Sequence, residues 1–180
     1  MNPSPLAATL LFSGLAGLVD AAAGDARNRI IPNHLVVFVA GTGLALRVAS
    51  GLTSVILSLI GAASVFVVLV FLMHRNLIGG GDAKLIAAAT LLVPPDRVVP
   101  LLLNIALAGG LLSCFYIAML FFAKHARRPA THFLGHLFAG DSGKAKTGQP
   151  IPYALAILGG VIASMLSEVF QCFSATSCSL

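Results

Sequence analysis

Two long runs of the sequence contain no charged residue, and this constrains the fold more than any other feature. Residues 52–73 and 98–123 each exceed the roughly 20 residues with which an α-helix crosses a bilayer core. The rest of the chain agrees, because 58% of its residues are hydrophobic and only 9% are charged, whereas soluble domains carry about 25% charged residues. The sequence therefore predicts an all-α, polytopic membrane protein.

Four further apolar segments complete a predicted set of about six membrane spans. The predicted spans are residues 6–24, 34–49, 52–73, 77–93, 98–123 and 151–171. A cleaved signal peptide is the alternative for the first of them, although no Lys or Arg precedes it. No internal repeat or second domain is evident, so we expect one transmembrane domain over residues 1–180.

The distribution of basic residues predicts the orientation of these spans. Of the 11 Lys and Arg residues, six spans place only Arg47 and Arg97 on one side. The positive-inside rule then makes the opposite side cytoplasmic. We therefore expect residues 124–150 to form a cytoplasmic loop and both termini to be periplasmic.

The same rule accounts for the net charge of +5, so the lipid bilayer is an expected partner and nucleic acid is not. No basic run is interleaved with aromatic residues, as a nucleic-acid site would require. Cys114, Cys172 and Cys178 have no CxxC or other metal-ligand spacing, and we expect neither a metal nor a cofactor. Cys114 is expected to be a small buried hydrophobe. Cys172 and Cys178 could pair in an oxidising compartment.

The predicted fourth span contains an unusual stretch, LIGGGDAKLIAA, at residues 77–88. Only 11 residues, about 17 Å of helix, separate Ala83 from the Pro94-Pro95 pair. Residues 77–82 must then also lie at membrane depth, where irregular backbone is tolerated only if protein buries it or it lines a cavity. We predict a short, broken fourth span that opens into an internal site. Close packing between helices is the alternative use of its glycines.

Asp25 and Asp82 both fall at predicted cytoplasmic ends of spans, so the two carboxylates can meet. Two carboxylates a few ångströms apart do not both ionise easily. The ionised one can take a proton from water while the protonated one polarises a scissile carbonyl, which is aspartyl proteolysis. Alternatively, Asp25 pairs with Arg27 or Arg29, and Asp82 with Lys84, as interfacial charges.

A second class of function is also compatible with two intramembrane acids. A small transporter or assembly subunit could use Asp25 and Asp82 as a proton or cation relay. The inverted repeats and paired broken helices that transporters often show are not evident in this sequence.

Several stretches resemble one family of proteases. Residues 79–82 (GGGD) resemble the glycine–any–glycine–aspartate motif of the GxGD intramembrane aspartyl proteases. Residues 25–33 (DARNRIIPN) resemble the type IV prepilin peptidase pattern of Asp, basic residues and Ile-Pro-Asn. Lys84-Leu85 and residues 151–157 (IPYALAI) also match, with Ala154 where the family often has glycine.

The resemblance covers essentially the whole chain and is to the short form associated with tight-adherence (Flp-type) pili. It implies a membrane-embedded aspartic endopeptidase that removes the leader of prepilins at the cytoplasmic face of the bacterial inner membrane. Larger members carry paired CxxC motifs and also methylate the new N-terminus, so the resemblance here implies the peptidase alone. The implied partner is a prepilin; pilus assembly proteins are further candidates, and a GxGD protease that cuts other single-span proteins is a third interpretation.

By the same resemblance, Asp25 and Asp82 are the catalytic pair. Gly79 and Gly81 would allow an unwound backbone that places Asp82 and lets a substrate strand approach. Asp20, about one helical turn deeper than Asp25, is the rival acid, but its spacing to the Ile-Pro-Asn stretch does not fit the family.

Three flanking residues receive supporting roles. We expect Lys84 to be an interfacial charge near the pair rather than a catalyst. Pro32 and Asn33 are expected to cap the second helix, since Asn is a strong N-cap and Pro commonly starts a helix.

Overall fold

The computed structural model describes residues 5–28, 31–125 and 153–177. Within these ranges every regular element is helical and no strand occurs, which confirms the all-α prediction. The helices are α1 (Pro5–Asn28), α2 (Asn33–Ala49), α3 (Leu52–His74), α4 (Gly80–Thr90), α5 (Val98–His125) and α6 (Tyr153–Ser177), with a 3-10 turn at Pro95–Arg97 before α5. Most of the predicted 124–150 loop lies outside the described residues.

Three helical segments of the described chain are long and apolar enough to cross a membrane: Pro5–Arg27, Leu52–His74 and Pro95–Ala118. Asn33–Ala49 and Tyr153–Ser167 are shorter apolar helices, so the count of six spans stays a prediction. Large apolar side chains are exposed along α3 and α5, among them Phe71 and Leu111. Cys114 is also exposed, contrary to expectation, because it lies on the unpacked side of α5.

The chain breaks between α3 and α4, as the glycine stretch predicted, but the break lies earlier than the glycines suggested. Helix α3 ends at His74, and residues 75–79 form turns and a bend. Asn76 has a positive φ of 56°, which Asn tolerates better than most residues. Gly79 is the extended N-cap of α4, with φ −69° and ψ 145°.

Gly80 and Gly81 are already part of α4, and among the described glycines only Gly51 has a positive φ. The expectation that Gly81 belongs to an unwound segment is therefore wrong. The turn that contains Asn76 already interrupts the helix, and an N-cap requires only the ordinary extended conformation that Gly79 adopts.

Helix α4 is the central helix of the bundle although it has only 11 residues. It packs against α2, α3 and α6, and its buried residues point in several directions around the helix: Ala83, Leu85, Ile86, Ala88, Ala89 and Thr90. A helix that is apolar on all sides is stable only when neighbours cover it. The surrounding helices therefore determine where Asp82, on its first turn, is placed.

Candidate active site

Asp25 lies near the end of α1, on the face that packs into the bundle. It is only 9% exposed and follows the buried residues Leu18, Ala21 and Ala22, which share one face of the helix by their spacing. Helix α1 continues to Asn28, four residues past the predicted end of the first span. Polar residues end the apolar span without ending the helix, so Asp25 stands on a rigid element instead of a loop.

The N-terminus of α6 holds the Asp25 carboxylate. The backbone N–H of Ala154 donates a hydrogen bond of 3.2 Å to Asp25 Oδ2, in a buried position. Ala154 is the second residue of α6, and the first N–H groups of a helix have no acceptor within their own helix. Asp25 therefore supplies an acceptor for one of them, and the bond joins two helices that are 129 positions apart in sequence.

Tyr153 attaches the same end of α6 to α5. A Cβ built on Gly109 would lie 2.9 Å from Tyr153 Oη and 3.0 Å from Cε2. The tyrosine ring thus occupies the space that any larger residue at position 109 would need. This contact holds the first turn of α6 in place. It thereby positions the Ala154 N–H group, which donates to the Asp25 carboxylate.

Asp82 is the third residue of α4, and its side chain folds back over the N-cap. A Cβ built on Gly79 would lie 2.9 Å from Asp82 Oδ2 and 3.7 Å from Cγ. The glycine at position 79 therefore leaves room for the carboxylate itself. It does not supply unusual backbone freedom, because the φ of −69° suits any residue.

The structure brings the two predicted acids together. Asp25 and Asp82 are close enough to interact electrostatically, and Asp82 also interacts with Tyr153. The first turn of α6 reaches both acids, since Ala154 N–H donates to Asp25 and Tyr153 lies within electrostatic range of Asp82. Within the described residues neither aspartate forms an ion pair with Lys or Arg, so the alternative pairing of Asp82 with Lys84 does not occur.

Lys84 bridges two helices instead. Its Nζ donates to Asn33 Oδ1 over 3.3 Å, at an exposed position. Pro32 is the N-cap of α2 and its carbonyl accepts from Leu35 N at 3.1 Å, whereas Asn33 is already helical. Pro32 thus holds the expected cap position, whereas the expectation that Asn33 caps α2 is wrong, because Asn33 is the first helical residue and no side-chain cap bond forms.

Gly81 allows the Ile-Pro-Asn segment to approach α4. A Cβ built on Gly81 would lie 3.3 Å from the Cβ of Ile31 and 3.4 Å from its Cδ1. The next glycine, Gly80, faces the flexible side chain of Met73, with Sδ at 3.2 Å. Ile31 and Tyr153 are residues of this site that the sequence did not single out, and Ala154 was noted only as a departure from the family pattern. Their only signal was their place inside the two stretches that carry the family resemblance.

Asp20 lies outside the site. It is exposed, whereas Asp25 is buried, and five residues turn an α-helix by about 140° from one side chain to the other. The two acids therefore point to different faces of α1, and Asp20, the rival acid, does not share the position of Asp25.

The groups near the site can support acid–base chemistry. Two carboxylates, the Tyr153 side chain and Lys84, which donates to Asn33, lie near the first turns of α4 and α6. Among the residues that the structure describes, no three His, Cys, Asp or Glu side chains are grouped as a metal ion would require. The arrangement is one in which a pair of carboxylates could activate water directly.

Comparison with known proteins gives one match. The model of the type IV leader peptidase family matches residues 10–114, a range that contains both Asp25 and Asp82 but ends before α6. Neither a curated protein nor a solved structure matches the sequence significantly.

Proposed function

The chain belongs to the type IV leader peptidase family, and from this premise we propose that it removes the leader peptide of Flp-type prepilins. The family makes it a protease, and of the aspartic type. The cut would fall at the cytoplasmic face of the inner membrane, just before the hydrophobic helix of the prepilin. Asp25 and Asp82 would be the catalytic residues.

The observation that carries this proposal is the meeting of Asp25 and Asp82 beside the first turn of α6. The ionised carboxylate would accept a proton from water as the water oxygen attacks the scissile carbonyl carbon. The protonated carboxylate would donate a hydrogen bond to the carbonyl oxygen. When the C–N bond breaks, the leaving amine takes up a proton, and the pair returns to its starting charge.

The contacts around Asp25 and Asp82 would hold the two carboxylates at the separation that the reaction requires. The Ala154 N–H orients the Asp25 carboxylate, and Gly79 leaves room for that of Asp82. Residues 77–79 are non-helical, with Leu77 and Gly79 exposed. An extended substrate segment could hydrogen-bond to backbone of this kind, which would present the scissile bond beside Asp82.

Three substitutions of one residue type test the proposal. The protein is co-expressed with a candidate Flp-type prepilin, and leader removal is followed as a mobility shift of the pilin on a gel. Asp25→Asn and Asp82→Asn should each lower cleavage by roughly 10²–10⁴-fold, the usual contribution of an acid–base group. Asp20→Asn is the matched control, since it lies on the same helix but faces away from the site, and should retain activity.

Two results would contradict the proposal. Cleavage that survives Asp25→Asn but not Asp20→Asn would mean that the pair is misassigned. In the second result, the unaltered protein shows no prepilin cleavage but a proton or cation flux that depends on Asp25 and Asp82. That result would favour a transporter that uses the two acids as a relay.

A further inference from the structure

Helix α4 carries Asp82 at one end, and its other end is buried deep in the bundle. The helix ends at Thr90, and Leu91, Leu92 and Val93 turn away with almost no exposed surface. Three of the last four carbonyl groups of α4 are satisfied by the chain itself, because Leu91 N–H donates to Ala88 O, Leu92 N–H to Ala89 O and the Thr90 hydroxyl to Ala87 O. The carbonyl of Leu92 lies beyond these bonds in the same buried turn, where an acceptor needs a donor from another element.

Arg47 and Gly43 of α2 contact this buried turn directly. Arg47 is 6% exposed, and its Nη2 donates to the Leu92 carbonyl oxygen over 3.3 Å. One turn earlier, a Cβ built on Gly43 would lie 2.8 Å from the carbonyl carbon of Leu91 and 3.0 Å from Leu92 N. The backbones of α2 and of the α4 terminus are thus in direct contact. We call Gly43, Arg47, Leu91 and Leu92 the distal clamp.

The same helix and the segment before it also contact the Asp82 end of α4. Asn33 accepts from Lys84, and Ile31 packs against Gly81. Helix α4 is therefore held at both ends by one continuous segment of chain. Because Asp82 and the last residue of α4, Thr90, are eight residues apart, about 12 Å of helix, a shift of the distal clamp tilts this short helix and displaces Asp82.

We propose that Gly43 and Arg47 are positioning residues, which set the place of Asp82 relative to Asp25 from the far end of α4. Neither residue touches the carboxylates, so neither is catalytic. The inference rests on the proposed function for its kinetic consequence. Its structural consequence, a displaced first turn of α4, is independent of any activity.

A kinetic comparison uses two glycines of the same helix. Gly43→Ala places a methyl group against backbone, whereas a Cβ at Gly41 meets nothing within 4 Å. With rates normalised to folded, membrane-inserted protein, Gly43→Ala should lower kcat about 10- to 100-fold, since a misplacement near 1 Å costs about a hundredfold. KM should change little, and Gly41→Ala should behave as the unaltered enzyme.

Arg47 provides a second series if Gly43→Ala does not insert. Arg47→Met should lower kcat, and Arg47→Lys should restore part of it, because an ammonium group can still donate to the Leu92 carbonyl. The pH profile of kcat should also change in Arg47→Met, since the coupling of two carboxylates depends on their separation. A simple loss of folded protein would reduce the rate without altering the profile.

Disulfide cross-linking measures the displacement without catalysis. In a background with Cys114, Cys172 and Cys178 replaced by Ser, Ile31→Cys and Gly81→Cys should form a disulfide when isolated membranes are treated with a mild oxidant, because the corresponding Cβ positions lie 3.3 Å apart. Adding Gly43→Ala or Arg47→Met should reduce the cross-link several-fold, and adding Gly41→Ala should not.

The outcomes separate the two proposals. If the unaltered protein does not cut prepilins but the cross-link still depends on Gly43 and Arg47, the proposed function is contradicted. The positioning role of the distal clamp is then still supported. If the cross-link and kcat are both unchanged in Gly43→Ala and Arg47→Met, the distal clamp does not position Asp82 and the inference is overturned.

Discussion

Gly79→Ala adds one methyl group directly against a proposed catalytic carboxylate. The new Cβ would lie 2.9 Å from Asp82 Oδ2, whereas carbon–oxygen contacts ordinarily lie near 3.4 Å. The oxygen must therefore retreat by about 0.5 Å. The backbone itself is unstrained, because φ −69° and ψ 145° are favourable for alanine.

This retreat can be converted into an expected rate. A misplacement near 1 Å costs about a hundredfold, so 0.5 Å should cost about tenfold in kcat, or ~1.4 kcal/mol of activation free energy. The free energy of unfolding should fall by about 1 kcal/mol, since glycine is preferred over alanine at an N-cap, and this leaves most of a typical domain folded. Stability would therefore not account for the lost activity of Gly79→Ala.

The assay is steady-state cleavage of a purified prepilin by the detergent-solubilised enzyme, with thermal unfolding measured on the same samples. Gly110→Ala is a matched control, because a Cβ there meets nothing within 4 Å. Gly80→Ala should be mild, since the flexible Met73 side chain can move, and Gly81→Ala should lie between Gly80→Ala and Gly79→Ala. If Gly79→Ala retains kcat within about twofold, as is expected of Gly80→Ala, the folded-back Asp82 carboxylate is not the reactive arrangement.

Three further outcomes are expected. Strong chelation with EDTA should leave the cleavage rate unchanged, because two carboxylates and water suffice for the reaction; activity that is lost and then restored by zinc would contradict this. Reporter fusions after Arg75 and within residues 124–150 should be cytoplasmic and a fusion after Leu180 periplasmic; a cytoplasmic C-terminus would refute six spans. Lys84→Met should lower the free energy of unfolding by about 0.5–1.5 kcal/mol, the contribution of one ordinary hydrogen bond to Asn33, and should change kcat far less than Asp82→Asn does.

Some features of this protein are determined by short-range properties of the sequence. Charge-free runs predict helices because an apolar backbone in lipid must satisfy its own hydrogen bonds, and α3 (Leu52–His74) matches its predicted bounds within one residue. The interruption before Asp82 was also predictable, since glycines and a carboxylate oppose a continuous apolar helix. Asp25 and Asp82 could be selected because few acids are present and their stretches resemble a known pattern.

Long-range packing decided which atoms surround those acids. Asp20 and Asp25 lie on one apolar helix whose sequence does not say which face turns inward; the contacts with α2 and α6 bury Asp25 and leave Asp20 exposed. The preference of Asn for N-cap positions predicts that Asn33 caps α2. In the structure its Oδ1 instead accepts a hydrogen bond from Lys84, 51 positions away in sequence.

The roles of the glycines also depend partly on local sequence and partly on long-range packing. Their spacing predicts a break or a close approach, but only the folded chain places the Asp82 carboxylate over Gly79 and Ile31 over Gly81. It also brings Arg47 to the far end of α4. Helix formation depends on neighbours within about four residues, whereas these distances depend on how separate helices settle against one another, so only the tertiary structure determines them.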